Sequence, residues 1–205
     1  MTDLDLKYLS LFLDNYSDME GLQSLILDNN LFTEEGLQAL YYTINQYPVG
    51  SIKRMDLSNN RLVDSSITLV DSLTLPICSH LEYLHLCDCD FSETDIVYLL
   101  KGLANGICPS LISFKLNGNH HFTTKCLKVL LYLWRQNPRM FPNLLSISLC
   151  YTSITEQGAL LFGEFLRSTP VRLRILDMDH ILIKQERRKF IKHEIKAMWK
   201  GHVYI

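Results

Sequence analysis

Apolar residues recur along the chain in one spaced pattern that ends in a polar turn. Its first copy, residues 22–32, follows Leu-x-x-Leu-x-Leu-x-x-Asn-x-Phe. Alternating apolar and polar residues over a few positions are typical of a short strand with one buried face. The pattern therefore predicts a strand whose apolar residues point inward and whose intervening residues point outward.

Five more copies of this skeleton follow the first one. Successive copies begin 29 to 33 residues apart. A fixed period of this length indicates a solenoid, in which each repeat packs only on its neighbours. The six copies begin at Leu22, Ile52, Leu81, Leu111, Leu144 and Leu173.

These repeats resemble the leucine-rich-repeat family, and in particular its ribonuclease-inhibitor-like branch with a helix in each long repeat. The resemblance covers roughly residues 22 to 183. It implies an α/β fold, a right-handed solenoid shaped like a horseshoe arc and made of about six β-α repeats. In this family a buried Asn satisfies backbone groups where the chain leaves the strand. Cys89 and Thr152 replace that Asn in two copies, and we expect both to be buried.

Each turn is followed by a segment that reads as a helix. Hydroxyl residues followed by acidic ones, as in residues 33–36 and 155–158, suit the free amides and positive end of a helix N-terminus. We therefore expect helices to begin near residues 33, 64, 92, 123 and 155. Prolines fall between each helix and the next strand, where the missing amide proton is harmless. They are Pro48, Pro76, Pro109, Pro142 and Pro170.

The two ends of the chain read as helical caps on one domain that spans residues 1–205. Residues 1–21 precede the first repeat and place Leu6, Leu9, Leu13 and Tyr16 at helical spacing. Residues 22–183 hold the six repeats, and residues 184–205 predict a closing helix. Caps of this kind shield the end of a solenoid core from water.

The predicted closing helix has two contrasting sides. At 100° per residue, Phe190, Ile191, Ile195 and Met198 share the side expected to cover the last repeat. The opposite side carries a lysine stripe that could make electrostatic contact with an acidic protein, a phosphorylated segment or an anionic membrane. A solvated helix surface is the simpler interpretation. The lysine stripe consists of Lys189, Lys192, Lys196 and Lys200.

Composition favours a globular cytoplasmic protein without a cofactor. Apolar residues make up 47% of the 205 positions, and neither a membrane-length apolar run nor a basic signal sequence is present. The six cysteines follow the repeat rather than a disulfide or Cys-x-x-Cys framework, so we expect free thiols. A nuclear protein or a secreted effector remains an alternative.

The net charge of −2 hides a strong asymmetry along the chain. Residues 1–100 hold 16 acidic and 4 basic side chains, whereas residues 101–205 hold 6 and 16. Order in sequence is order in space in a solenoid, so the sequence predicts an acidic end and a basic end.

Outward strand and turn residues of successive repeats should form rows on the concave sheet face. The rows are polar and mixed in charge, and we interpret them as a binding surface for a protein partner. Aromatic and Arg side chains dominate interface hot spots, so these should contribute most. The predicted partner-binding residues are Arg54, Asp56, Tyr83, His85, Asp88, Lys115, Tyr151, Asp177 and His180.

Catalysis and metal binding are weaker hypotheses. Cys87, His85 and Asp56 have the chemistry of a cysteine nucleophile system, but residues two apart on a strand run parallel rather than meeting. The Cys87–Cys89 pair and the His120–His121 pair lack structural zinc spacing. Basic residues without interleaved aromatics also do not favour nucleic acid. We therefore expect neither an enzyme nor a metal site.

The sequence thus predicts a monomeric protein-interaction scaffold. Two alternatives stay open. Similar repeats occur in GTPase activators for the Ran protein and in tropomodulins, which cap actin filaments, so the chain could regulate a GTPase or actin. It could also be a pathogen effector that binds a host protein.

Overall fold

Each copy of the repeat forms a three-residue strand followed by a helix. The computed structural model describes residues 1–13, 22–46 and 52–205. A short 3-10 helix, Pro76–Cys78, replaces the end of the helical segment in the second repeat. The other elements in chain order are α1 (Asp3–Leu13), β1 (Ser24–Ile26), α2 (Glu34–Asn45), β2 (Arg54–Asp56), α3 (Ser66–Thr74), β3 (Tyr83–His85), α4 (Glu93–Ala104), β4 (Ser113–Lys115), α5 (Thr124–Gln136), β5 (Ser146–Ser148), α6 (Glu156–Ser168), β6 (Ile175–Asp177), α7 (Gln185–Met198) and β7 (His202–Tyr204).

The strands pair in sequence order into one parallel sheet that runs from β1 to β7. Parallel neighbours need a crossover, and a helix supplies it in every repeat. The middle residue of every strand points into the core and is at most 7% exposed. These middle residues are Leu25, Met55, Leu84, Phe114, Ile147, Leu176 and Val203. The sheet and helices confirm the expected α/β leucine-rich-repeat solenoid.

Polar side chains tie neighbouring repeats together where the chain leaves each strand. The Asn60 amide donates to the carbonyl oxygens of Leu57 (3.0 Å) and of Leu27 in the preceding repeat (2.8 Å). Where Asn is absent, the Cys89 thiol donates to Leu57 O of the preceding repeat at 3.4 Å, whereas the Thr152 hydroxyl donates to Leu149 O of its own repeat at 2.7 Å. Both substitutes are buried, as the repeat predicted.

The helices of the first five repeats begin at or next to the hydroxyl residues that the sequence identified as helix starts. Their N-cap residues are Thr33, Ser65, Ser92, Thr123 and Thr155. Ser92 and Asp95 form a reciprocal capping box, which satisfies backbone amides at the start of α4.

The first helix stabilises the start of the second one. Oδ1 of Asp3 accepts hydrogen bonds from the backbone N–H groups of Thr33 (2.6 Å) and Gly36 (3.0 Å). Leu6 is buried, and a Cβ added at Gly36 would lie 2.9 Å from its Cδ1. Glycine at this position therefore permits the close approach of α1 to α2.

The C-terminal segment differs from the predicted helical cap. Helix α7 is present, but residues 202–204 then add a seventh strand beside β6. The prediction that Phe190 lies on the buried side was wrong. Its side chain is 47% exposed, and the Arg187 guanidinium lies 4.5 Å from its ring centroid. Strand β7 contributes Val203 to the core next to Leu176, so a strand as well as a helix covers the sixth repeat.

Two expectations concern residues outside the described ranges, and the positions of Tyr16 and Pro48 stay predictions. The inward orientation of the Leu13 side chain also stays a prediction. No helix in the described ranges combines the length and the apolar character needed to cross a membrane.

Truncating a central core leucine should destabilise the protein strongly. Leu86 and Leu116 are fully buried between repeats, so replacing either with Ala should lower the free energy of unfolding by about 2 to 5 kcal/mol through lost burial and a cavity. Urea unfolding followed by circular dichroism would measure this loss. Tyr132→Ala, on the exposed side of α5, is the control and should change stability by about 0.5 kcal/mol or less. Equal losses in both kinds of variant would contradict the assigned inward face.

Candidate functional site

The candidate site is the sheet face opposite the helices, which is the concave face expected from the repeat and is here called the strand face. The strand register places two rows of outward side chains side by side across it. One row consists of Ser24, Arg54, Tyr83, Ser113, Ser146, Ile175 and His202. The next row consists of Ile26, Asp56, His85, Lys115, Ser148, Asp177 and Tyr204.

Strands β2 and β3 bring four of the predicted residues into two direct contacts. The Arg54 guanidinium carbon lies 4.8 Å from the Tyr83 ring centroid, a cation–π arrangement. Beside it, Nδ1 of His85 lies 3.3 Å from Oδ2 of Asp56. Each contact joins neighbouring repeats, so the parallel register itself positions these groups.

The surroundings of the His85 imidazole favour its neutral form. Burial lowers the pKa of His85 most, and the positive charge of Lys115 lowers it further. The hydrogen bond to Asp56 acts in the opposite direction but does not outweigh them. With the proton on Nδ1, the buried Nε2 is an acceptor that no hydrogen-bond donor of the described residues reaches.

Lys115 lies near the middle of the strand face and is half-buried. Within the described part of the chain, no carboxylate lies within 4 Å of its amine. The next acidic group along the row, Asp177, instead lies 3.2 Å from the Ser148 hydroxyl. The amine of Lys115 therefore has no ion-pair partner within the described part of the chain.

The residues that follow the strands form a third row in an unusual backbone conformation. All six have φ between 51° and 70°, in the left-handed region. Asn, Asp and Gly tolerate this region best, whereas a bulky Tyr adopts it rarely. The row consists of Asn29, Asn59, Asp88, Gly118, Tyr151 and His180.

The left-handed row brings two more predicted residues together. Tyr151 and His180 stack with ring centroids 4.3 Å apart and planes 8° apart, and the Tyr151 side chain remains 53% exposed. Asp88 is exposed, and its carboxylate covers Gly118, where an added Cβ would lie 1.8 Å from Oδ1. Asp179, next to His180, accepts a hydrogen bond from Arg188 at 3.0 Å.

Several small side chains on this face are more buried than outward-facing residues should be. Ser58, Ser148 and Cys150 are 5 to 6% exposed. The Ser58 hydroxyl accepts a hydrogen bond from the Cys87 N–H at 3.0 Å, and the Asn117 amide oxygen accepts one from the Cys150 N–H at 2.9 Å. These side chains join neighbouring strands, so they leave little surface for a partner.

The cysteine constellation lacks the geometry of a nucleophile system. His85 directs Nδ1 to Asp56, and the described hydrogen bonds include none between His85 and the Cys87 thiol. Burial raises the pKa of Cys87, which keeps the thiol protonated at neutral pH. A cluster of three or more potential metal-ligating side chains is also absent from the described residues.

Three of the four side chains in the lysine stripe are exposed to solvent, and the fourth is half-buried. Lys189 and Lys196 are exposed on α7, and Lys200 is exposed just beyond the end of this helix. Lys192 is half-buried, and its amine lies 5.9 Å from the Tyr204 ring centroid. Sequence reasoning missed Tyr204 and His202, which extend the two rows of the strand face. The signal was present in Val203 and Ile205, which occupy the fourth and sixth positions of the repeat skeleton.

The pKa of His85 should respond in opposite directions to two substitutions. We expect a titration midpoint below the free-histidine value of about 6.5, measured by NMR of the imidazole protons. Lys115→Gln should raise the pKa of His85 because it removes a nearby cation, and Asp56→Asn should lower it further. Because the folded-state pKa lies below the unfolded value, His85 should also reduce stability as pH falls through 6.5. A midpoint unaffected by Lys115→Gln, with Lys101→Gln on the helix side as the control, would contradict this electrostatic account.

The six cysteines should differ in reactivity. All are unpaired, and Cys87 alone is half-buried while the others are buried. Burial raises the pKa of Cys150 to about 12, so it should react as slowly as the core thiols. In the folded protein a thiol reagent should therefore modify Cys87 first, and mass spectrometry of Cys87→Ser should show that this early reaction is lost. Rapid labelling of Cys150 would contradict its burial.

Comparisons with known proteins agree with the repeat fold. No protein-family model matches the chain. Over 154 residues, which are 70% of this chain, it is 28% identical to the human protein PRAME family member 20. The chain thus spans about a third of that relative, of which 31% is aligned. This similarity and the ordered parallel sheet support a leucine-rich-repeat protein in general, without distinguishing the ribonuclease-inhibitor-like branch. The chain is a leucine-rich-repeat solenoid of the α/β class.

Proposed function

We propose that this chain is a non-enzymatic scaffold that binds a protein partner through the strand face and the adjoining turns. The observation that carries the proposal is the set of three contacts on this face, Arg54–Tyr83, Asp56–His85 and Tyr151–His180. Aromatic and Arg side chains that are already held in place lose little conformational entropy when a partner binds.

The shape of the face favours a macromolecule over a small ligand. Small-molecule sites are concave and mostly apolar, whereas this face carries regular rows of polar side chains. Recesses among the described residues include one along the turns near Arg61 and Asp90, one on the helix side near Tyr132 and Phe165, and one between the segments that contain Pro142 and Pro170. The middle of the strand face therefore suits a broad complementary surface.

The charges on the strand face indicate what a partner should present. The unpaired amine of Lys115 suits a carboxylate, and the exposed Tyr151–His180 stack suits an apolar or cationic side chain. Acidic groups at Asp56 and Asp177 would disfavour a uniformly acidic partner, because like charges that meet across an interface cost several kcal/mol. We propose a partner surface of mixed charge.

We also propose that the repeats belong to the ribonuclease-inhibitor-like branch. Repeats that begin 29 to 33 residues apart and contain helices of 9 to 14 residues support this assignment. The name of the human relative specifies no partner, so the partner itself must be found by experiment.

Comparative affinity capture would test the strand face. The bait proteins are the wild type, a variant with Arg54→Ala, Lys115→Ala and Tyr151→Ala, and a helix-side control with Tyr98→Ala and Tyr132→Ala. Circular dichroism would confirm that all three are folded. Quantitative mass spectrometry should find a partner that the wild type and the control retain and the strand-face variant loses.

Direct binding measurements with that purified partner decide the proposal. The strand-face variant should bind about 30-fold more weakly or worse, since hot-spot residues contribute about 2 kcal/mol or more. The helix-side control should bind within about twofold of the wild type. A partner that binds the strand-face variant normally but loses the helix-side variant would contradict the proposed surface.

A further inference from the structure

A recess opens at the edge of the solenoid where the helices end and the strands begin. It lies between residues 137–145, which join α5 to β5, and residues 169–174, which join α6 to β6. The first segment is the longer of the two, and a space of about 260 Å³ remains between them. Described repeats lie on both sides of the recess, so it does not belong to either end of the solenoid.

The walls of the recess are mainly apolar. The rings of Trp134 and Phe141 line it and meet edge to face, with centroids 5.1 Å apart. Both side chains are at most 2% exposed, so they form its floor. Pro138, Pro142 and Pro170 also line it. Proline has a fixed φ and no backbone N–H, so this rim is conformationally restricted and offers few hydrogen-bond donors.

The size of the recess suits one side chain rather than a whole small ligand. Sites for small molecules commonly occupy about 300 to 1,000 Å³, and this recess lies below that range. A single aromatic or aliphatic side chain that fills a pocket is the usual anchor of a protein or peptide partner. The recess therefore favours an apolar anchor from such a partner.

Exposed arginines are concentrated in the segments that form the recess and in the adjoining helix ends. Among the described residues, no carboxylate lies within 4 Å of any of these guanidinium groups. The corresponding connections of earlier repeats, residues 75–82 and 105–112, contain neither Arg nor Lys, so the repeat itself does not require this charge. The arginine cluster consists of Arg135, Arg139, Arg167, Arg172 and Arg174.

Two members of the arginine cluster are held in place by neighbouring repeats. The Arg172 guanidinium donates to Oδ1 of Asn143 at 3.3 Å, and the Asn143 amide in turn donates to Pro109 O at 3.1 Å. The Arg135 guanidinium donates to the Ser168 hydroxyl at 3.0 Å. A guanidinium has five N–H donors, so both groups keep donors for an anion.

The helix C-termini account for part of this positive charge only. Arg135 and Arg167 lie in the last turns of α5 and α6, where a cation suits a partial charge of about −0.5 at each helix end. Arg139, Arg172 and Arg174 lie beyond the ends of both helices. The cluster therefore keeps an excess of positive charge at this edge.

Few acidic residues balance the cluster. Residues 135–174 contain five arginines and two glutamates, a net charge of +3. One of the two, Glu156, lies at the other end of α6 and already pairs with Arg187 at 2.6 Å. Carboxylates of a partner would therefore meet largely unpaired guanidinium groups, which bind them through two parallel N–H···O bonds.

The geometry favours an acidic peptide over a nucleic acid or a membrane. Nucleic-acid bases stack on exposed aromatic rings, whereas Trp134 and Phe141 are buried at the floor. Surfaces that bind membranes insert exposed side chains such as Leu, Phe and Trp. Residues 137–145 and 169–174 expose no such side chain.

We propose that this edge binds an acidic peptide segment of a partner protein, with one apolar side chain of the segment in the recess and its carboxylates on the arginine cluster. The apolar anchor provides selectivity for the position of the segment, and the carboxylates provide charge complementarity. The site is separate from the strand face and independent of the function proposed for that face.

Fluorescence anisotropy with labelled synthetic peptides gives the first test. The probe peptide is Glu-Asp-Glu-Asp-Phe-Asp-Glu-Asp-Glu, and related peptides carry Trp, Leu or Ile in the centre. Replacing the central residue with Ala, or the acidic residues with Gln and Asn, should weaken binding to the full chain about tenfold or more. Equal binding of the Ala peptide, or no binding by any acidic peptide of the set, would overturn the proposal.

Matched charge variants of the protein locate the site. The cluster variant carries Arg135→Gln, Arg139→Gln and Arg172→Gln. It should bind the Phe peptide about tenfold more weakly or worse, with a smaller dependence on salt. The control variant removes the same number of exposed positive charges elsewhere and should bind within about twofold of the wild type. It carries Lys53→Gln, Arg61→Gln and Lys101→Gln. Equal losses in both variants would show non-specific attraction and contradict the site.

Tryptophan emission tests whether the anchor enters the recess. The chain contains two tryptophans, so Trp199→Phe leaves Trp134 as the single emitter. Saturation with the Phe peptide should shift the emission of Trp134, and the Ala peptide should leave it unchanged. An unshifted emission at saturation would overturn the placement of the anchor. Circular dichroism checks that each variant is folded, and Trp199→Tyr replaces Trp199→Phe if the latter is not.

Two further probes separate the peptide from other anionic partners and from the strand face. Poly(U) RNA and vesicles of phosphatidylcholine with phosphatidylserine should each bind about tenfold more weakly than the Phe peptide. Tighter binding of either probe that the cluster variant loses would overturn the peptide assignment. The strand-face variant should bind the Phe peptide like the wild type, and a loss there would place the peptide on the strand face instead.

Discussion

Every repeat in this protein must be covered by its neighbours, and this requirement organises the rest of the structure. A three-residue strand cannot satisfy its backbone groups or bury its apolar face alone. Hydrogen bonds between the parallel strands satisfy backbone groups within the sheet. Where the chain leaves a strand, buried side chains donate hydrogen bonds to backbone carbonyl oxygens, as those of Asn60, Cys89, Asn119 and Thr152 do. Stability is therefore shared between adjacent repeats rather than held in one central core.

The same register that builds the core also arranges the strand face. Because the strands pair without a shift, Arg54 meets Tyr83 and Asp56 meets His85 across neighbouring repeats. The groups that are arranged in this way suit recognition more than catalysis. The His85 imidazole is bonded to a carboxylate, and burial raises the pKa of the Cys87 thiol. A polar surface whose side chains already contact one another, as Arg54 and Tyr83 do, is the expected property of a binding scaffold.

The covering requirement also makes the two ends different from the middle. Internal repeats have neighbours on both sides, but β1 and β7 each have one unpaired edge among the described strands. One end presents Leu4 and Tyr8 in an acidic region, and the other presents lysines.

The sequence by itself determined the repeat period, the inward strand residues and the helix N-termini, because burial on alternate positions and helix capping leave a local pattern. It also identified Tyr151 and His180 as neighbours, since they occupy the same position in adjacent repeats. It missed β7, because Lys200 stands where the skeleton has its first leucine and only Val203 and Ile205 retain the pattern. Only the tertiary structure decided that Ser148 and Cys150 are buried, that Phe190 is exposed and that Tyr151 stacks on His180. Those outcomes depend on how side chains of neighbouring repeats pack against one another. The residues that make these contacts lie about 30 positions apart along the chain, so a local sequence pattern does not reveal them.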